Sequence, residues 1–254
     1  MRLNQKVALV TSSRTGVCSN TALLLAEAGA SVMICGRNAT QGQATVDEIQ
    51  RSGGRASFVL ADIASAADVQ AAIDETIATY GRLDILFNCA SGYYDYDRSL
   101  LTVSEAAWDR IVEVTLKGTF FCCQSALPFL QNAGSGVIIN LIEQAETPES
   151  YAVNGICHGG IVSLTQAIAQ QFSNAQVATN LIVLSPHPAV GTSPVLLPPA
   201  AQQILYAPLS APADAAFSGI AEAIMYLADC VDQVHGHTLV VRASLTSAPP
   251  PPLP

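Results

Sequence analysis

Lysine is nearly missing from this chain: Lys6 and Lys117 are the only two among 254 residues. Charge of either sign is sparse, at 12% of residues, and the balance is acidic, with a formal net charge of −9. A surface that tracks a phosphodiester backbone needs a dense stripe of Lys and Arg, so nucleic acid is excluded as a general partner. One phosphate can still be held by local arginines. Long apolar runs are also missing: no stretch reaches the roughly 18 residues that a membrane-spanning helix requires. The segment before the first apolar run, Met1–Lys6, is too short for a secretory leader. A soluble, cytoplasmic chain with no membrane partner is expected. Cysteines number seven, an odd count, without paired metal-ligand spacing. Adjacent Cys122 and Cys123 are poorly placed to chelate one ion, so no metal site is expected. The thiols are read as reduced and buried, because Cys packs as a small apolar residue.

Apolar residues, by contrast, make up 50% of the chain, enough to bury a large core. With so little charge, part of the surface is expected to be covered in a homo-oligomer, a dimer or tetramer. Short apolar runs alternate with helical periods. Strands are predicted at 7–10, 31–35, 56–60, 83–87, 137–141, 178–184 and 238–241. Helices are predicted at 16–29, 39–52, 65–80, 104–130, 151–173 and 213–229. Apolar strands separated by amphipathic helices imply a parallel sheet covered on both faces, and right-handed crossovers make it doubly wound. The fold class is therefore α/β, one domain over 1–247. Residues 248–254 are a proline-rich overhang. Ligands of such sheets bind beyond the carboxyl ends of the strands. That directs attention to 11–18, 35–38, 61–63, 88–97, 141–154 and 185–195, the last opening a proline-rich irregular stretch over 185–212.

The first turn reads Thr11-Ser-Ser-Arg-Thr-Gly-Val-Cys18. Together with Asp62, Asn88-Cys89-Ala90 and the ending His237-Thr-Leu-Val-Val241, it resembles the classical short-chain dehydrogenases/reductases over about 5–242. The resemblance implies a single Rossmann domain with a nicotinamide dinucleotide at its cleft. The family's turn is Thr-Gly-x-x-x-Gly-x-Gly; here Ser12 and Cys18 replace two glycines and Gly16 remains. Small replacements keep the turn compact, and the helix that follows still aims its amides at an anion. Arg37, after the second strand, and Arg14, from the first turn, suit a ribose 2′-phosphate, which favours NADP(H) over NAD(H). The residues the resemblance assigns to the cofactor are Ser12, Arg14, Gly16, Arg37, Asp62, Asn88, Ala90 and His158. Two alternatives stand beside this. The arginines could be solvated in a chain that has lost its cofactor, and Asp62 could cap a helix starting near 63.

Family members use Asn, Ser, Tyr and Lys, with Tyr and Lys four apart on one helix face. Four residues before Lys117 is Glu113, and four before Lys6 is Arg2, so no Tyr-x-x-x-Lys exists here. The segment Gly159–Thr165 sets the register and puts His158 at the Lys position and Asn154 at the Tyr position. The motif Ile139–Glu143 puts Glu143 near the Ser position, and Trp108–Gly118 puts Thr115 at the Asn position. Asn154 can donate a hydrogen bond but delivers no proton. His158 can act as acid or base, or bond the ribose. Glu143 can serve as base or cation stabiliser. Against these stands a structural Glu143–His158 pair, or simple exposure of both. The loop Ser91-Gly-Tyr-Tyr-Asp-Tyr-Asp97 could line a pocket for an aromatic or cationic small molecule, with Tyr94 as a replacement proton donor. Tyr151 and His187 are further candidates.

Three functions compete. One is an NADPH-using enzyme of specialised metabolism that reduces an iminium or other activated acceptor, with possible coupling to a Diels–Alder-type cyclisation. Another is a cofactor-independent isomerase, cyclase or lyase. The last is a non-catalytic member of the family.

Overall fold

Alternation along the strands builds the two-sided architecture. In β1 (Val7–Thr11), Ala8 and Val10 point to one apolar core and Leu9 to another. In β2 (Ser31–Gly36), Val32 and Ile34 join the first core, Met33 and Cys35 the second. The same split recurs in β4 (Ile85–Asn88), with Ile85 and Phe87 opposite Leu86. Strands apolar on both sides must be covered on both sides. The first core is closed by α1 (Val17–Glu27), α2 (Ala39–Arg51) and the helical residues 223–227. The second is closed mainly by α3 (Ala66–Tyr80) and the helix over 118–132.

The computed structural model describes residues 2–11, 16–89, 99–143, 152–172, 177–185, 223–227 and 235–242. With β3 (Arg55–Leu60), β5 (Gly136–Glu143), β6 (Val177–Ser185) and β7 (Thr238–Arg242), the strands form one seven-stranded sheet. Its order is β3-β2-β1-β4-β5-β6-β7, and every pairing is parallel. This is the α/β doubly wound fold expected. Among the described residues, no helix is long and apolar enough to cross a membrane.

One predicted helix is broken. The stretch expected as continuous over 104–130 is α4 (Glu105–Val112), a π-helical turn (Glu113–Lys117) and α5 (Gly118–Asn132). Ser104 caps α4 by accepting from Ala107 N. Helical periodicity in a sequence does not distinguish one widened turn from regular α-helix, and such turns cluster at functional sites. The long α6 (Ala152–Gln171) follows β5 in the chain. It packs closely on the π-turn: a Cβ at Gly160 would stand 2.8 Å from the Leu116 side chain.

One of the two lysines, Lys6, works at the opposite end of the sheet. Asp84 is fully buried just before β4. It accepts from Lys6 Nζ at 3.1 Å, from Arg82 Nε at 2.8 Å and Nη2 at 2.6 Å, and from Val7 N at 2.9 Å. Lys6 also donates to Ser135 Oγ at 2.6 Å, which ties in the turn before β5. Lys6 thus pins the amino ends of three adjacent strands, far from the ligand edge. Lys117, on the π-turn, is exposed. Asp84→Ala removes the acceptor shared by the part-exposed Lys6 and Arg82 and leaves the buried Val7 N–H without a partner. The expected loss is about 2 kcal/mol of stability, read as a lower urea midpoint; an unchanged midpoint would show the cluster to be idle.

Candidate functional site

The chain leaves β1 toward β2 on one side, and returns from β3 through α3 to β4 on the other. The carboxyl ends of β1 and β4 therefore open a crevice between diverging connections. Register puts Thr11 beside Asn88 at that edge, with Cys35 on the outer side. Helix α1 begins there. Its N-cap, Gly16, has φ 96°, a left-handed conformation that a side chain would strain, and among the described residues nothing lies within 4 Å of where its Cβ would stand. The first turn of α1 carries no acidic residue and no side-chain cap. A glycine-led helix end with no side-chain cap and no acidic first turn fits a pyrophosphate.

At the outer edge, Arg37 follows β2 and is exposed. Its Nη1 stands 3.7 Å from Asp62 Oδ2, and Arg110 Nη2 of α4 stands 3.7 Å from the same oxygen. Asp62 is thus held between two guanidinium groups. Its other oxygen accepts from Ala64 N at 3.1 Å. It is not a helix cap. Helix α3 starts at Ala66, and its cap is Ser65, which accepts from Asp68 N; the alternative of a helix beginning near 63 is corrected. The Asp68 carboxyl is held below its ordinary range by the Asp62 N–H and then by the Ser65 hydroxyl.

Beneath the edge runs a buried polar rail. Asn88 Nδ2 donates to Asn140 Oδ1 at 2.9 Å, Asn140 Nδ2 donates to Thr165 Oγ1 at 2.9 Å, and Thr165 donates to Ile161 O at 2.7 Å. The chain also closes toward β1, where Cys89 N donates to Thr11 Oγ1 at 3.2 Å. Satisfied buried polar chains of this kind fix relative position. This one locks β4 and β5 to α6, the helix carrying Asn154 and His158. The Asn88 side chain, assigned to a cofactor, belongs to this rail.

Helix α6 buries Val153, Asn154, Cys157, His158, Ile161 and Val162. Asn154 and His158 lie one turn apart within that stripe, each fully buried. His158 does not face solvent, which corrects one alternative. Glu143, at the end of β5, is half-buried. Thr115 sits in the π-turn, and its Oγ1 is buried with no hydrogen-bond partner among the described residues. Ser12, Arg14, Ala90, Tyr94, Tyr151 and His187 lie outside the described residues. Among the described residues, no cluster of three or more His, Cys, Asp or Glu suits a metal ion. Arg110, Asn140, Thr165 and the π-turn were not singled out from sequence. For Asn140 a signal existed: an amide inside an apolar strand must find a partner when buried.

The cysteines depart from expectation. Cys18 of α1 and Cys89 after β4 are joined as a disulfide, with Cα atoms 5.9 Å apart, so the reading of all thiols as reduced is corrected for this pair. Side chains that share an edge only in the folded chain are 71 residues apart in sequence, where no spacing rule could pair them. Cys35, Cys122, Cys123 and Cys157 are free and buried. Burial pushes the Cys35 thiol up to about 12, helped by Asp68 and Asp62, and pushes Cys123 to about 12 against donation from Asn88. Because the thiolate is the nucleophile, neither reacts with iodoacetamide at pH 8 in the native protein. Both should label after unfolding, as peptide mass spectrometry would register; native labelling at either would contradict their burial.

The sequence profile of the enoyl-(acyl carrier protein) reductase family matches residues 11–244. A (2S)-[(R)-hydroxy(phenyl)methyl]succinyl-CoA dehydrogenase subunit of Thauera aromatica is 36% identical over 188 residues, 72% of this chain and 73% of that protein. A cyclohexanol dehydrogenase of an Acinetobacter species is 31% identical over 197 residues, 77% and 76% of the two chains. A crystal structure of a short-chain dehydrogenase from Mycobacterium smegmatis aligns with a TM-score of 0.74 at 26% identity, covering 97% of this chain and 94% of that one.

Proposed function

Because this chain belongs to the short-chain dehydrogenase/reductase family, we propose that it binds NADP(H) and reduces a pre-activated acceptor such as an iminium, in a step that can be coupled to ring closure. The observation that carries this reading is a pairing of features. The dinucleotide edge keeps its glycine cap and its arginine, while the chain has no Tyr four residues before a Lys. When bound, NADPH would supply a hydride, and a cationic C=N carbon that takes it becomes a neutral amine without a proton donor.

The protein's own groups are assigned accordingly. Gly16 and the first amides of α1 receive the pyrophosphate, with Ser12 and Arg14 alongside. Arg37 meets the 2′-phosphate, and Asp62 orients Arg37 and Arg110. Glu143 stabilises the acceptor's positive charge from the end of β5. Asn154 donates a hydrogen bond to the substrate, and His158 holds the nicotinamide ribose or moves a proton during cyclisation. The tyrosine loop containing Tyr94 packs against an aromatic or cationic substrate. A sheltered pocket of this kind works mainly through orientation, which is worth several kcal/mol.

Fluorescence titration with NADPH and NADH tests the cofactor. Arg37→Ala is expected to weaken NADPH by more than about tenfold, equivalent to roughly 1.4 kcal/mol, and to leave NADH within about twofold. Equal losses for the two would remove the 2′-phosphate assignment. Turnover without any dinucleotide binding would favour a cofactor-independent isomerase or cyclase instead.

The catalytic assignments need turnover of a cyclic iminium, followed as loss of NADPH absorbance. Glu143→Gln should lower kcat about a hundredfold, the lower end of what one positioned group contributes. His158→Ala should lower kcat and raise KM. Full activity in both variants would exclude the two residues from the chemistry.

A further inference from the structure

The disulfide lies where the cofactor reading needs the closest packing. Cys18 is the second residue of α1, two positions after the Gly16 cap, and Cys89 directly follows Asn88 at the end of β4. In dinucleotide folds the last glycine of the first turn allows the helix to pack tightly on the sheet. Cys18 stands at that position and brings a side chain into the contact. The bond to Cys89 draws the first turn of α1 against the β4 end, so the place of the lost glycine is taken by a covalent link. Two separate thiols need more room than one disulfide, and interiors packed near crystal density have little to give. On reduction the first turn of α1 would have to move away from β4, which would widen the place for an anion at its N-terminus.

We infer that Cys18 and Cys89 form a reversible redox site whose oxidation closes, and whose reduction loosens, the dinucleotide cleft. This rests on the NADP(H) reading above. The reaction partner is a low-molecular-weight thiol–disulfide couple of the glutathione type. In the oxidising direction, two protein thiols and one glutathione disulfide give the protein disulfide and two glutathione thiols. The glutathione S–S bond breaks and the Cys18–Cys89 bond forms. Two electrons pass to glutathione, and the two thiol protons end on its sulfurs. In reverse, a glutathione thiolate attacks Cys18, which is 7% exposed against 1% for Cys89. Cys89 is the leaving sulfur, and a second glutathione releases the first as a disulfide. The remaining described cysteines are buried thiols, and burial raises Cys35, Cys122 and Cys123 away from the thiolate form.

The test equilibrates the full chain in oxidised or in reduced glutathione, maps peptides without added reductant, and titrates NADPH by fluorescence in each state. A cross-linked Cys18–Cys89 peptide pair is expected only in the oxidised sample. NADPH affinity should fall about tenfold on reduction. The Cys18→Ser, Cys89→Ser double variant, and Cys89→Ser alone should the double variant misfold, should bind like reduced protein in both buffers. Absence of the linked peptides, equal affinity in the two buffers, or a buffer response that persists in the serine variants would each overturn the inference. If the linked, oxidised protein binds no NADPH, the cofactor reading fails and the proposed role of the bond fails with it. Equal tight binding in both states spares the cofactor reading and removes only the switch.

Discussion

Parallel strands cannot be joined by tight turns, and that constraint sets everything else in this protein. Each strand must be followed by a segment that crosses the sheet, and the crossing segments cover both faces. The strand interior consequently becomes apolar on both sides, as β1 and β2 show with Ala8 and Val32 facing one core and Leu9 and Met33 facing the other. Because β1 and β4 are neighbours whose connections depart in opposite directions, a crevice opens at their carboxyl ends. Gly16, Arg37, Asp62, Asn88 and Glu143 all come to that edge from separate stretches of chain.

The two ends of the sheet divide the polar work. The amino end is a closed electrostatic knot in which Lys6 and Arg82 neutralise the buried Asp84. The carboxyl end is held from below by Asn88, Asn140 and Thr165 through short hydrogen bonds. Neither arrangement consumes the exposed groups at the rim. Arg37 and Arg110 converge on one oxygen of Asp62 in a half-exposed setting. Solvent screens that setting, so it costs little to rearrange around an incoming anion.

The chemical end differs in character. Asn154 and His158 are not at a wet surface but inside the buried stripe of α6, beside the closely packed π-turn. Thr115, within that turn, presents a hydroxyl with no partner among the described residues. Polar groups placed this deep are costly to bury unless they find hydrogen-bond partners. The same environment suits a site that orients a substrate in a space poor in water.

Much was legible in the residues themselves. Alternating apolar runs and helical periods are local, so strand order of appearance, the helices from 16 to 80 and over 151–173, and the parallel, doubly wound class followed from them, with boundaries shifting by a residue or two at β5 and β6. Of the helix expected over 213–229 only 223–227 is described, and the irregular stretch after 185 and the proline-rich tail 248–254 lie outside the described residues. The lack of any Tyr-x-x-x-Lys was equally a property of the chain, since a helix face is set by four-residue spacing. What needed the tertiary structure were the pairings between distant segments. Cys18 with Cys89, Asp62 with Arg110, and Asn88 with Asn140 and Thr165 are neighbours only because parallel register aligns strand ends. The π-turn at Thr115 likewise has no signature in periodicity. Local sequence determines which element forms; only the packing of elements decides which side chains meet, because contact depends on register and crossing geometry that no single segment contains.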